Sequence, residues 1–480
     1  MLYFFILGNH PALSLAEIFA FFGEKVKLRS FSGNFAVFEF AAEPNLPEDF
    51  ESLGGSIKFG KIIKESVKNI EEDILFELCR QTKENKVFFG ISVYGKIKLR
   101  VKNLGMAVKK RIGENGRSAR FVVSKEDTLS SVVVKTNKLL SGRGAEFVAL
   151  GDGKTNFLGK TLAVQEFEEY EKRDYGRPSR DMLRGMLPPK LAKIMINLSG
   201  APKDGVILDP FCGTGTILSE AIILGYKNII GADNDAEAIK SAEENLNWLK
   251  NNFELPTNNC QVFICDAREI SKKVGEKSID AIIAEPYLGP PMRGNELPEK
   301  INPPTFSRGI ESRGNDSASV YFPSSSRQER EVFGKGGGVN QLINLLKNLY
   351  LESFEEFRKV LKPGGKVVFI LPIYKIPLAP QEAGLIPPLR KGGNPPCPAG
   401  GGAYSPFVKG GGRGDLGKGG GARGMDLKKE IEKIGFEIIN PLPSEIKTQF
   451  NSQLGPNGGL VYGRENQMIW REILVLGFKI

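Results

Sequence analysis

The stretch VILDPFCGTGTILSEA, residues 206–221, decides the fold. Val206, Ile207 and Leu208 form the short apolar run of a buried strand, and the run stops at Asp209. Gly213 and Gly215 let the backbone turn tightly and approach a ligand closely. Ile217, Leu218 and Ala221 then begin the apolar face of a helix. A strand, a glycine turn and a helix in this order aim the helix N-terminal amides into a crevice at the strand end. Leu218 stands where the dinucleotide fingerprint G-x-G-x-x-G has its third glycine, which argues against a nicotinamide oxidoreductase. No Gly-Lys-Ser/Thr follows, so a P-loop is excluded.

From this stretch the pattern repeats toward the C-terminus. NIIGAD (228–233), QVFICD (261–266) and AIIAEP (281–286) read as further short strands that reach an acidic residue. The segment 236–250 carries Ile239, Ala242, Leu246 and Leu249 at helical spacing. Residues 362–372 read as a turn and a fifth strand, and GFEIINP (435–441) and REILVLGF (471–478) as the last two. Alternation of this kind predicts a Rossmann-like domain over 191–480, with a seven-stranded, mainly parallel sheet. Two segments break the pattern. Residues 293–338 and 382–425 are rich in Gly, Pro, Ser and Arg and are expected to be disordered insertions.

Toward the N-terminus the chain reads as a different α/β arrangement. Residues 1–50 form a small unit: a strand over 2–7, a helix capped by Ser14 and running to about Phe22, and a strand over 35–40. The apolar start is short, lacks a basic flank, and reads as a buried strand rather than a signal peptide. Residues 51–165 form a second unit, with helices near 69–81, 96–112 and 130–140 and strands at 87–95, 119–124 and 145–150. Residues 166–190 are charged and punctuated by proline, and are expected to form an irregular linker.

The composition is that of a folded protein, with 41% hydrophobic and 25% charged residues. The formal net charge is +10, and it is unevenly placed. Lys96, Lys98, Arg100, Lys102, Lys109, Lys110, Arg111, Arg117, Arg120 and Lys125 lie in one window whose only acid is Glu114. Such an excess fits a phosphate-contacting surface, with a solvated helix face as the alternative. His10 is the only histidine, and the five cysteines show no metal-ligand spacing. A zinc site and a Ser-His-Asp triad are therefore not expected. Scattered cysteines suit a reducing cytoplasm. No stretch approaches a membrane span.

The chemistry follows from acids at successive strand ends. Asp233 lies 24 residues after Asp209, where an acid can accept both ribose hydroxyls of a nucleoside-bearing cofactor. Asp266 can accept an adenine amino group while the Ala267 amide donates to the ring. Together with the glycine loop these acids point to an adenosyl cofactor. At the fourth strand end stands Glu285-Pro286-Tyr287-Leu288. Enzymes that methylate amino groups usually carry Asp/Asn-Pro-Pro-Tyr/Phe there. An exocyclic base amine is a poor nucleophile, and acceptors that bind its hydrogens orient it and stabilise the charge that develops. A nearby aromatic ring can stack on a flipped-out base. Here the acid is one methylene longer and the aromatic is shifted by one position.

With these residues in hand, the chain resembles the THUMP-domain RNA methyltransferases, most of all the branch that makes N2-methylguanine at position 10 of tRNA. DPFCGTG, GADND, CDA and EPYLG carry the resemblance in order and spacing, as do RDYGRPSRDM (173–182), MLPPKLAKIMINLSG (186–200) and FILGNHPALSLAEI (5–18). The resemblance implies a ferredoxin-like domain over 1–50, a THUMP domain over 51–165, a linker over 166–190 and a class I methyltransferase domain over 191–480. It implies S-adenosylmethionine as cofactor, tRNA as partner, and no metal. Asp209, Phe211, Gly213, Gly215, Asp233, Asp266 and Ala267 would hold the cofactor. Glu285 and the Pro286 carbonyl would accept the N2 hydrogens, and Tyr287 would contact the base. Lys96, Lys98, Arg100, Lys109, Lys110, Arg111, Arg117 and Arg120 would grip RNA. A DNA adenine-N6 or cytosine-N4 methyltransferase and a non-catalytic RNA-binding factor are the rival readings.

Overall fold

The computed structural model describes residues 1–45, 48–81, 86–180, 186–289, 339–375, 422–463, 467 and 469–478. The chain opens with β1 (Leu2–Leu7), α1 (Pro11–Phe22), β2 (Val26–Ser32) and β3 (Phe35–Phe40). A short helix α2 (Glu48–Glu51), β4 (Ser56–Glu65), α3 (Ile70–Gln81), β5 (Lys86–Gly95) and α4 (Val101–Glu114) follow. Then come β6 (Ser118–Val122), α5 (Ser131–Thr136), β7 (Gly144–Gly151) and β8 (Asn156–Val164). These eight strands form one mixed sheet in the order β2-β3-β1-β4-β8-β7-β5-β6. Strand β1 pairs with both β3 and β4, so the sheet runs unbroken past residue 50. Only the β5–β6 and β5–β7 pairs are parallel.

Two local expectations change. Helix α1 begins at Pro11, because the fixed φ of proline suits a first helical position. Ser14 lies inside the helix, and its hydroxyl donates to the Gly55 carbonyl at 2.7 Å. The helix expected over 96–112 starts only at Val101, after Gly95 turns the chain at φ +79°.

The segment expected to be an irregular linker contains α6 (Phe167–Tyr175). Tyr170 and Arg173, one turn apart, are its buried residues. A stripe of two residues is too short to show as periodicity in the sequence. Acids at its first turn and bases at its last suit the helix dipole.

The second half runs α7 (Pro189–Ser199), β9 (Val206–Asp209), α8 (Thr216–Ile223), β10 (Asn228–Asp233), α9 (Ala236–Asn252), β11 (Asn259–Ile264) and β12 (Ile279–Ala284). It continues with α10 (Val339–Val360), β13 (Leu361–Lys375), β14 (Ala422–Gly424), α11 (Lys428–Ile434) and β15 (Phe436–Ile439). Helix α12 (Ser444–Lys447), β16 (Leu460–Tyr462) and β17 (Ile469–Phe478) complete it. The main path of this sheet is β11-β10-β9-β12-β13-β17-β15, the seven strands expected. Strand β14 adds to β13 and β16 to β17, making nine. Strands β11, β10, β9, β12 and β13 are mutually parallel, and β17 enters antiparallel between β13 and β15. The strand order reverses between β9 and β12, the place where open α/β sheets bind ligands.

The expected insertion at 293–338 lies outside the described residues, as does 382–421 of the second. Residues 422–425 are not part of an unstructured insertion. Gly424 pairs with Ile373, and Met425 is buried in the core.

The two sheets share one apolar core. Tyr3, Phe5 and Phe59 of the first sheet belong to the same cluster as Leu191, Met195 and Leu198 of α7 and Ile283 and Val475 of the second. Helix α1 packs on α7. At this seam the buried Glu17 carboxylate accepts from the Gly54 and Gly55 amides, each at 2.7 Å, and from Asn197 at 2.8 Å. Burial pushes its carboxyl up from an ordinary 4.5 to about 7, against the pull of these donors and of Lys193. The folded chain therefore binds an extra proton between those values, and this group's contribution to stability falls as pH rises through that window. We expect the stability of the wild type relative to Glu17→Gln to fall by at most about 3 kcal/mol between pH 4.5 and 7. Denaturant melts of both proteins across that range check this, and parallel pH profiles would refute it.

Candidate active site

Strand β9 delivers Asp209 to the carboxyl edge of the second sheet, where it is buried. Its Oδ1 accepts from the Phe211 amide at 3.1 Å, and Oδ2 has no hydrogen-bond partner among the described residues. Burial pushes this carboxyl well above the ordinary range, and the nearby charges of Asp233 and Glu285 push the same way. A buried carboxylate with one open oxygen suits a cationic ligand group such as an ammonium.

The loop after Asp209 is built on two left-handed glycines, Gly213 at φ +51° and Gly215 at φ +81°. A Cβ added at Gly213 would meet no atom within 4 Å, so the loop opens on space there. The loop is held from beneath. Asp233 Oδ2 accepts from the Gly213 amide at 2.9 Å, and its Oδ1 accepts from the Asp235 amide at 3.0 Å. Asn245 of α9 donates to both the Thr214 and the Ser179 carbonyls at 2.9 Å. Arg177 donates to the Thr216 hydroxyl at 2.6 Å, and Arg173 to Glu220 of α8 at 2.7 Å. Part of the RDYGRPSRDM segment thus braces the glycine loop from behind, a role its composition alone does not reveal.

Asp266 caps a short 3-10 helix, Ala267–Lys272. Its carboxylate accepts from the Arg268 amide at 2.9 Å and from the Arg268 guanidinium at 2.7 Å. These hydrogen bonds hold its carboxyl below the ordinary value despite burial, the largest single influence. Ala267 is buried beside it.

Glu285 follows β12 directly. Burial raises its carboxyl, and Arg471 of β17 opposes that rise by charge and by hydrogen bond. Arg471 Nε donates to Glu285 Oε1 at 2.5 Å. Sequence reading missed Arg471, which lies 186 residues away. Only the closing of β17 against β13 brings it in. The next residue, Glu472, faces away and accepts from the Asn457 and Gly459 amides at 2.8 and 3.0 Å. The Pro286 carbonyl accepts no hydrogen bond among the described residues. The following loop is tied down by two tyrosines: Tyr350 donates to the Tyr287 carbonyl at 2.6 Å and Tyr374 to the Leu288 carbonyl at 2.7 Å. Gly289, at φ +100°, leaves room for Tyr374, whose hydroxyl would lie 2.9 Å from an added Cβ. Phe211 and Tyr287 both pack against the core under this edge.

The basic window lies elsewhere, on the rim of the first sheet. Lys96, Lys98 and Arg100 are exposed in the turn before α4, and Lys109 and Lys110 are exposed on that helix. Arg111 is engaged by Glu72 at 2.5 Å and Glu71 at 3.5 Å, so its charge is largely offset. Arg120 is exposed on β6 and donates to Asn137 at 3.1 Å, and Arg117 is half-buried. Among the described residues no group of three His, Cys, Asp or Glu could hold a metal, and no helix is long and apolar enough to cross a membrane.

Removing a hydroxyl that satisfies a buried carbonyl costs about 1–3 kcal/mol. Tyr350→Phe and Tyr374→Phe are each expected to lower stability by about that amount, read as a shift of the denaturant midpoint. Unchanged midpoints in both would show that the loop is not held by these bonds.

Against this geometry, residues 177–296 match the family model described as "RMKL-like, methyltransferase domain". The tRNA (guanine(10)-N2)-dimethyltransferase of Methanothermobacter thermautotrophicus is 39% identical over 134 residues, 28% of this chain and 36% of that protein. The protein of the same name from Pyrococcus abyssi is 31% identical over 203 residues, 41% of this chain and 52% of that one. The solved structure of TrmN from Thermus thermophilus is 15% identical, with 100% of both chains covered and a TM-score of 0.43. This chain spans between about a third and about half of the two curated relatives, at 36% and 52%, and is similar to these tRNA (guanine(10)-N2)-dimethyltransferases over 28% and 41% of its own length.

Proposed function

We propose that this chain transfers a methyl group from S-adenosylmethionine to the exocyclic N2 of a guanosine in tRNA, at position 10. The observation that carries the reading is the buried Asp209 and the largely buried Glu285 at neighbouring strand ends on the switch-point edge, beside an open left-handed glycine loop. The names of the relatives support the substrate.

The residues present suit this cofactor. The open oxygen of Asp209 would take the methionine ammonium. Gly213 and Gly215 would admit the methionine end, with Phe211 beside it. Asp233 would accept from the ribose hydroxyls with lone pairs not used by the loop amides. Asp266 and the Ala267 amide would flank the adenine. Bound there, S-adenosylmethionine supplies an electrophilic methyl on a sulfonium. Glu285 and the Pro286 carbonyl would orient the amine by accepting its hydrogens and would stabilise the positive charge that develops on it. Tyr287 would contact the flipped base.

In the same reading residues 1–50 and 51–165 form ferredoxin-like and THUMP units, 166–190 joins them to the catalytic domain, and Lys96, Lys98, Arg100, Lys109 and Lys110 meet tRNA phosphates. Recognition of A-form RNA by backbone and shape needs such a basic rim. Free Cys79, Cys212, Cys260 and Cys265 accord with a cytoplasmic protein.

Methyl transfer from labelled S-adenosylmethionine to unmodified tRNA transcripts tests the reading, with nuclease digestion to identify the product. N2-methylguanosine is expected from the wild type and a loss of about 10²-fold or more with Glu285→Ala. Cofactor binding without transfer to any tRNA would overturn the substrate. For the rim, Lys109→Ala with Lys110→Ala is expected to weaken tRNA binding and flatten its salt dependence by about one to two in log–log slope. An unchanged slope would place the RNA elsewhere.

A further inference from the structure

Arg471 sits in the site with one of its five N–H donors used. Its side chain is more than nine-tenths buried, at 9% exposure, and Glu285 beside it is 13% exposed. The guanidinium Nε is engaged by Glu285 Oε1. Neither Nη group makes a hydrogen bond to a described residue, and neither does Glu285 Oε2. A guanidinium has five N–H donors, so four remain, next to one open carboxylate oxygen. None of these atoms is sealed off from solvent, so they stand open to a ligand. A ligand edge with matching acceptor and donor groups would complete the arrangement.

We infer that Arg471 and Glu285 form a composite reader of the guanine edge, with Arg471 as the specificity-determining residue. This rests on the guanine-N2 reading above and deepens it. A guanine edge presents, side by side, the O6 acceptor, the N1–H donor and the N2 amine. Glu285 accepts on the N1–N2 side, and an Arg471 Nη group donates to O6. Adenine offers an amine where guanine has O6. That amine would meet the guanidinium donor against donor, and adenine has no amine at C2 to receive a methyl. The added methylene of glutamate, relative to the usual aspartate, lets the carboxylate reach Arg471 on β17 while still facing the site. Arg471 also lies outside the segment 177–296 that carries the family match, so this contact is supplied by the last strand of the chain.

A transcript with 2-aminopurine at the target position tests the pairing. It keeps the C2 amine but lacks O6 and N1–H. Full-length wild type, Arg471→Met and Arg471→Lys are compared by kcat/KM on guanine and 2-aminopurine transcripts, with melting temperature and S-adenosylmethionine affinity checking the fold. Wild type is expected to prefer guanine by about 10²-fold or more, as sites built to hydrogen-bond a group reject analogues that lack it. Both variants should lose activity on guanine and little on 2-aminopurine, shrinking the preference about tenfold or more. Any part of the preference due to N1–H stays the same in all three proteins, so the change isolates Arg471. The lysine variant keeps the charge beside Glu285 and removes only the fork. A wild-type preference under about threefold, or a preference unchanged in the variants, overturns the inference while guanine methylation stands. Absence of N2-methylguanine with the wild type overturns the functional reading and this inference together.

Discussion

Everything in this molecule hangs on one helix being claimed from two sides. Helix α7 packs against α1 of the first sheet and against α8, β12 and β13 of the second. Ten of its eleven residues are buried, including Lys193, Asn197 and Ser199. Burial on both faces makes two α/β units one body with a common apolar cluster. The charged groups Glu17 and Lys193 trapped at the seam are satisfied internally. Glu17 gathers three donors, and Lys193 donates to the Glu51 carbonyl. A substrate held by the first sheet would thus be presented to the second at a set distance.

The site uses the same logic at smaller scale. Its acids stand at strand ends because parallel strands stop together at one edge, the edge at which open α/β sheets bind ligands. Each has its own polar partners. Asp233 is tied to the loop amides, Asp266 to Arg268, and Glu285 to Arg471. Asp209 has the Phe211 amide alone, and its carboxyl is driven well above the ordinary range by burial. The four acids are alike in sequence context and different in their partners.

How much of this was legible beforehand depends on the range of the interaction. The glycine loop, the strand-end acids and the parallel core were readable because each is encoded within about twenty residues. So were the seven strands of the main path. Arg471 was not, because nothing local marks an arginine in REILVLGF as a partner of a glutamate in the fourth motif. Arg177 and Asn245 escaped for the same reason. Helix α6 escaped because only Tyr170 and Arg173 mark its buried face. The position of Ser14 was misread because a capping residue and a mid-helix serine that donates to a distant carbonyl look the same in sequence.

The alternation along β17 has a consequence for how the chain must assemble. Arg471 points into the cleft, and Glu472 points away into a cage of Asn457 and Gly459. Successive strand residues exchange faces, so a slip of one position in one direction would send the Glu472 carboxylate into the cleft opposite Glu285, and a slip in the other would put the Arg471 guanidinium into that cage. The first would set two like charges against each other in a buried site, and the second would face the three N–H donors of the cage with another donor. The Asn457 loop therefore works as a registration mark: it identifies the single threading of the last strand that gives the site its positive charge, and it makes the neighbouring threading expensive before any ligand arrives.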